Sequence, residues 1–240
     1  MFDLTRLRLA KAGYSLSHPS CWSALARGVT PSIEHFTMLR AVAPDLVLDV
    51  GANRGQFTLM ARMIHPNVPI RAYEPLPAAG TVFRRVHSHR LGVELFETAL
   101  GDVQGSSELH VSRQADSSSL LPIGRLQTRI FQHTEESGTL RVMVTTLDGL
   151  PDHWRAARNA LLKIDVQGYE LNVLRGASAA MQHCAYVYAE CSEVQLYTGQ
   201  AVRKDVEAFL ISHGFTVRRR FNPSFYDGNL IQADYLFGRH

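Results

Sequence analysis

Short, almost uninterrupted apolar runs recur along this chain, and most are separated by a segment of helical periodicity. "LVLDV" (46–50), "IRAY" (70–73), "ALLKI" (160–164) and "AYVYA" (185–189) are strand-length and mostly apolar. A strand with one wet face alternates polar and apolar residues, whereas a strand of a parallel sheet is covered by helices on both faces and reads continuous. The helical stretches fall at about 56–64, 78–89, 168–181 and 201–214. This order predicts an α/β fold, a mostly parallel sheet with helices on both faces. The last two runs, "TVRRRF" (216–221) and "ADYLFGR" (233–239), have no helix between them and predict an antiparallel hairpin at the sheet edge. "SELHVS" (107–112) and "LRVMVTTL" (140–147) predict extra strands around a long polar loop, of which "ADSSSLL" (115–121) reads as the most polar and mobile part.

No repeat or linker divides the 240 residues, so one domain is expected, with residues 1–40 a helical extension and 41–240 the core. Hydrophobic residues at 45% and charged residues at 20% exclude disordered and collagen-like chains. No apolar run reaches the roughly 18 residues of a membrane span. "MFDLTRLRLAKAGYSL" has no continuous apolar stretch and does not read as a signal peptide. A helix there would set Arg6, Arg8 and Lys11 on a polar side, and docking on the domain is favoured over an anionic surface. Three cysteines (Cys21, Cys184, Cys191) without a CxxC pair suit a reducing cytoplasm. Eleven histidines include no HExxH, and His87 and His89 are badly spaced for one helical face, so no dedicated metal site is expected. A net charge of +3 gives no case for nucleic acid. Arg218, Arg219 and Arg220 read as a solvated strand end or a pocket rim.

Ligands of open α/β sheets lie beyond the carboxyl ends of the strands. There this chain places Asp49 with Gly51, Glu74, the Ala99–Asp102 turn, Asp165 and Glu190. Gly51 and Gly55 allow close backbone approach, and the helix start beyond them favours an anionic group. Asp49 suits a cationic amine, or the helix start itself as a cap. Glu74 stands where an acid accepts both hydroxyls of a ribose. Asn53 occupies a position that breaks the GxGxxG dinucleotide pattern, which disfavours a nicotinamide enzyme. An adenosine-type ligand is the expectation.

"VLDVGANRGQFT", "AYEPLP", "TALGD", "TTLDGL", "LLKIDVQGYELNVLRGA" and "YVYAEC", in this order, resemble the FkbM family of S-adenosylmethionine-dependent methyltransferases. The resemblance spans roughly residues 40–238 and leaves the first forty residues uncovered. It implies a Rossmann-like class I methyltransferase fold and methylation of a hydroxyl on a sugar, glycolipid or polyketide. It implies that Asp49, Gly51, Asn53 and Gly55 line the aminoacyl end of S-adenosylmethionine and that Glu74 holds its ribose. Asp102 resembles the residue that meets the adenine amine, and Ser118 and Ser119 are expected to close over the cofactor.

Methyl transfer to an alcohol must align two partners and remove a proton of high pKa. Asp165 and Glu190 end neighbouring strands, so one is expected to act as the base and the other to hold a nearby hydroxyl. Lys163 shares the strand face of Asp165 and would balance its charge. For Asp165 the competing reading is a cap on the helix near Tyr169, and for Glu190 a solvated strand end. His133, His153 and His183 sit at no strand end. For the acceptor, Glu190, Glu193 and Gln195 could hold sugar hydroxyls, while Tyr197, Phe221, Phe225 and Tyr226 could stack on a pyranose. A sugar hydroxyl on a glycan, glycolipid or sugar-bearing small molecule is therefore the expected acceptor. The alternatives are a polyketide or macrolide hydroxyl and a non-catalytic protein that only binds the cofactor.

Overall fold

The computed structural model describes residues 4–88 and 90–239, with side chains described for residue 7 and from residue 9 onward. His89 and the Arg6 and Arg8 side chains, singled out above, lie outside the described residues. The helices are α1 (Leu4–Ser17), α2 (Trp22–Leu25), α3 (Phe36–Arg40), α4 (Gln56–Ile64), α5 (Pro77–His87), α6 (Arg125–Ile130), α7 (Glu170–Arg175) and α8 (Arg203–Ser212). The strands are β1 (Leu46–Val50), β2 (Ile70–Tyr73), β3 (Val93–Phe96), β4 (Ala99–Leu100), β5 (Gly105–Ser112), β6 (Glu136–Thr145), β7 (Ala160–Ile164), β8 (Cys184–Ser192), β9 (Phe215–Tyr226) and β10 (Asn229–Arg239).

Seven strands form the main sheet in the order β3-β2-β1-β7-β8-β10-β9. The first five are parallel, and β10 runs antiparallel between β8 and β9, so the edge hairpin is present. Strand order reverses between β1 and β7, which opens a crevice above their carboxyl ends. Every residue of β1 and of β7 is buried, as two covered faces require. On one face Leu48, Val50, Leu162, Ile164 and Val187 pack with Val173 of α7 and Val206 and Leu210 of α8. On the other, Val47, Leu161 and Ile70 meet Met38 and Leu39 of α3 and Phe57 and Met60 of α4.

"VELFETAL" reads as one strand, yet it divides. Residues 93–96 extend the main sheet as β3, and Ala99–Leu100 leave it as β4 to join β6 and β5 in a second, three-stranded sheet. Ala99, Leu109, Val142 and Val144 form that sheet's small core with Leu76. The long stretch from 168 to 181 also divides, because α7 stops at Arg175 before Gly176, whose Cβ position would fall 1.9 Å from the Gly101 carbonyl oxygen. The "ADSSSLL" loop is pinned where mobility was expected. Ser119 is fully buried and pairs its backbone with His110, and Ile123 bridges to Tyr197.

Candidate active site

β1 delivers the chain to Gly51 (φ 75°), Asn53 (φ 48°) and Gly55 (φ 86°) before α4 begins. A Cβ on Gly51 would lie 1.8 Å from the backbone oxygen of Asp165, so only glycine lets the tops of β1 and β7 come this close. Gly55 serves a different contact. Its Cβ position is 2.3 Å from Nε2 of His87, which bonds to the Gly55 carbonyl at 3.1 Å. Burial pushes His87 down to about 4, so the ring is neutral there. Gly55 thus packs α4 on α5 and does not line the crevice.

Above the sheet switch lies a cavity walled by Gly51, Asn53, Glu74, Ser119, Asp165 and Tyr169 among others. Glu74 is 8% exposed. Its Oε2 accepts the Asn53 amide at 2.9 Å and its Oε1 the Leu76 amide at 2.8 Å. Burial raises the Glu74 pKa, while those two amides pull it back. Asn53 Oδ1 is buried beside it with no partner. A carboxylate with spare lone pairs and an orphaned amide oxygen form a wall of acceptors. Such a wall fits a ligand that brings hydroxyl and amine donors, as an adenosine bearing an aminoacyl chain does.

The second sheet and its loop roof this cavity. Ser119 Oγ donates to the Gln167 carbonyl at 2.7 Å and accepts the Leu121 amide at 3.0 Å. Ser118 Oγ accepts the Ser112 amide at 3.1 Å, and both serines contribute to the wall. Asp102 stands outside the cavity, where its Oδ2 accepts from Asn172 at 3.2 Å and its charge adds to burial in raising the Tyr169 phenol pKa. Tyr169, not Asp102, faces the space.

Asp49 has no exposed surface and does not line the cavity. Its Oδ2 accepts the Thr58 hydroxyl at 2.7 Å, and its Oδ1 lies 3.1 Å from Lys163 Nζ. It does not cap α4, and with no exposed surface it stands behind the cavity wall. Lys163 also donates to the Gly51 carbonyl at 2.9 Å and sits 3.8 Å from Asp165 Oδ2. Burial would lower the Lys163 pKa, but Asp49 and Asp165 outweigh it and the net shift is upward. Lys163 is therefore an ammonium that ties the tops of β1 and β7 together.

Asp165 reaches the cavity with its side chain 40% exposed. It does not cap α7, which has no side-chain cap; Glu170 Oε1 instead accepts amides of the preceding loop, from Gly168 at 2.9 Å and Val166 at 3.3 Å. Gln167, held at φ 55°, joins the two expected catalytic acids: its Nε2 donates to Asp165 Oδ1 at 2.8 Å and to Glu190 Oε2 at 3.0 Å. Glu190 Oε1 accepts from Gln232 at 2.9 Å. Burial, followed by Asp165, Asp234 and Glu170, pushes Glu190 well above the usual carboxylate range. With both oxygens held by glutamine amides, it is not a solvated strand end.

Several residues assigned to the acceptor have other work. Tyr197 is 2% exposed, and its hydroxyl meets the Ser117 carbonyl and Gln167 Oε1, both at 3.0 Å. Phe221 packs edge-on against Tyr188 in the core. Glu193 pairs with Arg203 and accepts from Tyr235, while Gln195 donates to the Gln200 carbonyl. Phe225 remains exposed. Sequence reasoning missed Gln167 and Gln232. Gln167 was visible only as the residue before Gly168 in "DVQGYE", a place where a turn would force it beside Asp165. Among the described residues no group of three or more His, Cys, Asp or Glu could hold a metal, and no helix is long and apolar enough to cross a membrane.

A family model described as the methyltransferase FkbM domain matches residues 49–217. The chain is 29% identical over 211 residues to a 31-O-demethyl-FK506 methyltransferase, FkbM, of Streptomyces tacrolimicus, covering 79% of each chain. It is 24% identical over 205 residues to the 2-O-methyltransferase NoeI of Sinorhizobium fredii, covering 80% of this chain and 84% of that one. The crystal structure of a methyltransferase FkbM from Methylobacillus flagellatus superposes with a TM-score of 0.52 at 12% identity, over 79% of this chain and 42% of that one. The last comparison bears on fold alone.

Proposed function

The chain belongs to the FkbM methyltransferase family, and from that premise we propose that its acceptor is a sugar hydroxyl on a glycan, glycolipid or sugar-bearing small molecule. The protein is an S-adenosylmethionine-dependent O-methyltransferase with a Rossmann-like class I methyltransferase fold. In this reading Glu74 and Asn53 hold the ribose and aminoacyl ends of the cofactor, with Gly51 and Ser119 completing the wall. When bound, S-adenosylmethionine supplies a methyl group activated by a positively charged sulfur.

The observation that carries the sugar reading is the polar row Asp165, Gln167, Glu190 and Gln232 beside the cavity. Asp165 is the half-exposed member and takes the proton from the acceptor hydroxyl, with the Lys163 ammonium 3.8 Å from its Oδ2. Glu190 holds a neighbouring hydroxyl, and Gln167 fixes the spacing of the two acids. A site built to bond several hydroxyls rejects an acceptor that lacks one, because its polar groups are left unpaired.

A polyketide or macrolide hydroxyl is the alternative, favoured by the similarity to the FK506 methyltransferase. Mass spectrometry of a glycoside panel, its single-deoxy analogues and macrolide alcohols, each incubated with cofactor, separates the two. A gain of one methyl on a glycoside, lost in one deoxy analogue, is expected. Methylation confined to the macrolides would overturn the sugar assignment and leave the methyltransferase standing.

A further inference from the structure

The 49–217 match excludes three residues that meet beside the row just described: His35, Asn222 and Asp234. Asp234 of β10 lies directly across from Glu190 of β8, so their side chains share one face of the sheet. Tyr188, two residues before Glu190, points to that same face. His35, from the turn before α3, covers both: its Nδ1 is 2.9 Å from the Tyr188 hydroxyl and 3.6 Å from Asp234 Oδ2. Its ring meets Tyr188 edge-on at 5.5 Å and Phe57 at 5.4 Å, and Phe57 in turn lies under Lys163. The segment ahead of β1 therefore packs against the strand pair that carries Glu190.

The donors in this cluster fix the state of the imidazole. Asp234 Oδ2 accepts from the Tyr188 hydroxyl at 2.9 Å and from the Asn222 amide at 2.7 Å. Tyr188 spends its one proton on Asp234, so its oxygen can only accept from His35. Nδ1 then carries a proton, and the neutral ring has its lone pair on Nε2. The Asn222 amide is 3.5 Å from Nδ1, too far to reverse this assignment. Nε2 has no protein partner among the described residues and is not one of the enclosed orphan atoms, while the side chain keeps 14% of its surface exposed. The arrangement holds a bare acceptor nitrogen toward solvent next to Glu190 and its glutamines.

We propose that His35 is a specificity-determining residue of the acceptor site, its Nε2 accepting a hydrogen bond from a hydroxyl of the acceptor that is not itself methylated. Tyr188 and Asp234 act through His35 as positioning residues, holding the tautomer in which Nε2 accepts. The proposal rests on the reading of a polyhydroxyl acceptor for its substrate, but its tautomer claim stands apart from any acceptor.

Two measurements test it. Nitrogen-15 NMR of the cofactor-loaded protein, with His35 assigned by its loss in His35→Gln, should show neutral His35 protonated at Nδ1, and Tyr188→Phe should remove that bias. A neutral ring protonated at Nε2 overturns the proposal whatever the acceptor. On the glycoside panel, His35→Phe should raise KM about tenfold, the value of a lost neutral hydrogen bond, with kcat and cofactor affinity changed much less. The penalty should vanish on the deoxy analogue lacking the bonded hydroxyl. An unchanged KM, or an equal penalty on every analogue, overturns the proposal. If only macrolide alcohols are methylated, the sugar assignment fails by itself and the same KM comparison is read on those alcohols. If no acceptor is methylated, the tautomer decides.

Discussion

Lys163 Nζ lies 3.1 Å from Asp49 Oδ1, with the two side chains 5% and 0% exposed. The pair links neighbouring strands at the register Asp49↔Lys163, immediately below the turn that forms the cavity floor. Neither charge reaches water, so each depends on the other. Removing one partner of a buried pair costs about 3–5 kcal/mol, whereas replacing both by apolar residues of similar volume is often near neutral. Lys163→Met should therefore destabilise the fold by about that amount, and Lys163→Met with Asp49→Val should recover much of it. Urea unfolding of the two variants checks the difference. The folded pKa of Lys163 is raised, so its contribution is complete below the unfolded value of about 10.4 and is lost as pH rises through the higher folded value.

Glu170 sets a second pH dependence of opposite origin. Burial raises it from 4.5 to about 7, even though the Gly168 and Val166 amides pull downward. Between about 4.5 and 7 the folded chain holds a proton that the unfolded chain releases. Stability contributed by this group is then present at the acidic end and falls as pH rises through the window, by up to about 3 kcal/mol. Glu170→Gln keeps an oxygen for both amides and carries no charge. Its urea midpoint should exceed wild type at pH 8 and match it near pH 4.5. Equal midpoints at pH 8 would contradict the assignment.

The sheet was legible because burial on two faces leaves a one-dimensional mark: "LVLDV" and "ALLKI" are continuous, and "TVRRRF" followed by "ADYLFGR" lacks a crossover. Glu74 and Asp165 were legible as strand-end acids, and both line the cavity. Asp49 and Lys163 carry the same mark but point into the sheet's packed face, and sequence spacing gives no depth. Tyr197 and Phe221 looked like acceptor platforms because aromatic rings serve cores and binding sites alike. Gln167 and His35 were hidden for another reason. Their importance comes from contacts 23 to 153 residues away, to Glu190 and Tyr188, which no local pattern encodes.

Glu74 tests the cofactor wall. It accepts two backbone amides and has lone pairs left for the ribose. Hydrogen bonds to a charged group are worth about 1.5–3 kcal/mol. Glu74→Ala should weaken S-adenosylmethionine binding roughly ten- to a hundredfold, read by calorimetry. The two freed amides also lose stability, so the circular dichroism spectrum must first show a folded variant. Unchanged affinity in such a variant would remove Glu74 from the site.

Asp165 separates binding from chemistry. It lines the cavity with its side chain 40% exposed, and its Oδ2 lies 3.8 Å from the Lys163 ammonium. Glu190 accepts from the same glutamine amide at 3.0 Å and is more enclosed, and burial raises its pKa well above the usual carboxylate range, which leaves Asp165 as the base. Asn in place of Asp165 keeps the size and an oxygen for Gln167 but cannot take a proton. General-base catalysis is usually worth about 10²–10⁴-fold, and Asp165→Asn should lower turnover by that amount. Cofactor affinity should change little, because Glu74 and Asn53 remain in place. The ratio of single-turnover methyl transfer to calorimetric affinity distinguishes this from a structural role, in which both would fall together. An Asn variant that transfers methyl groups at the wild-type rate would move the base elsewhere on the acceptor side.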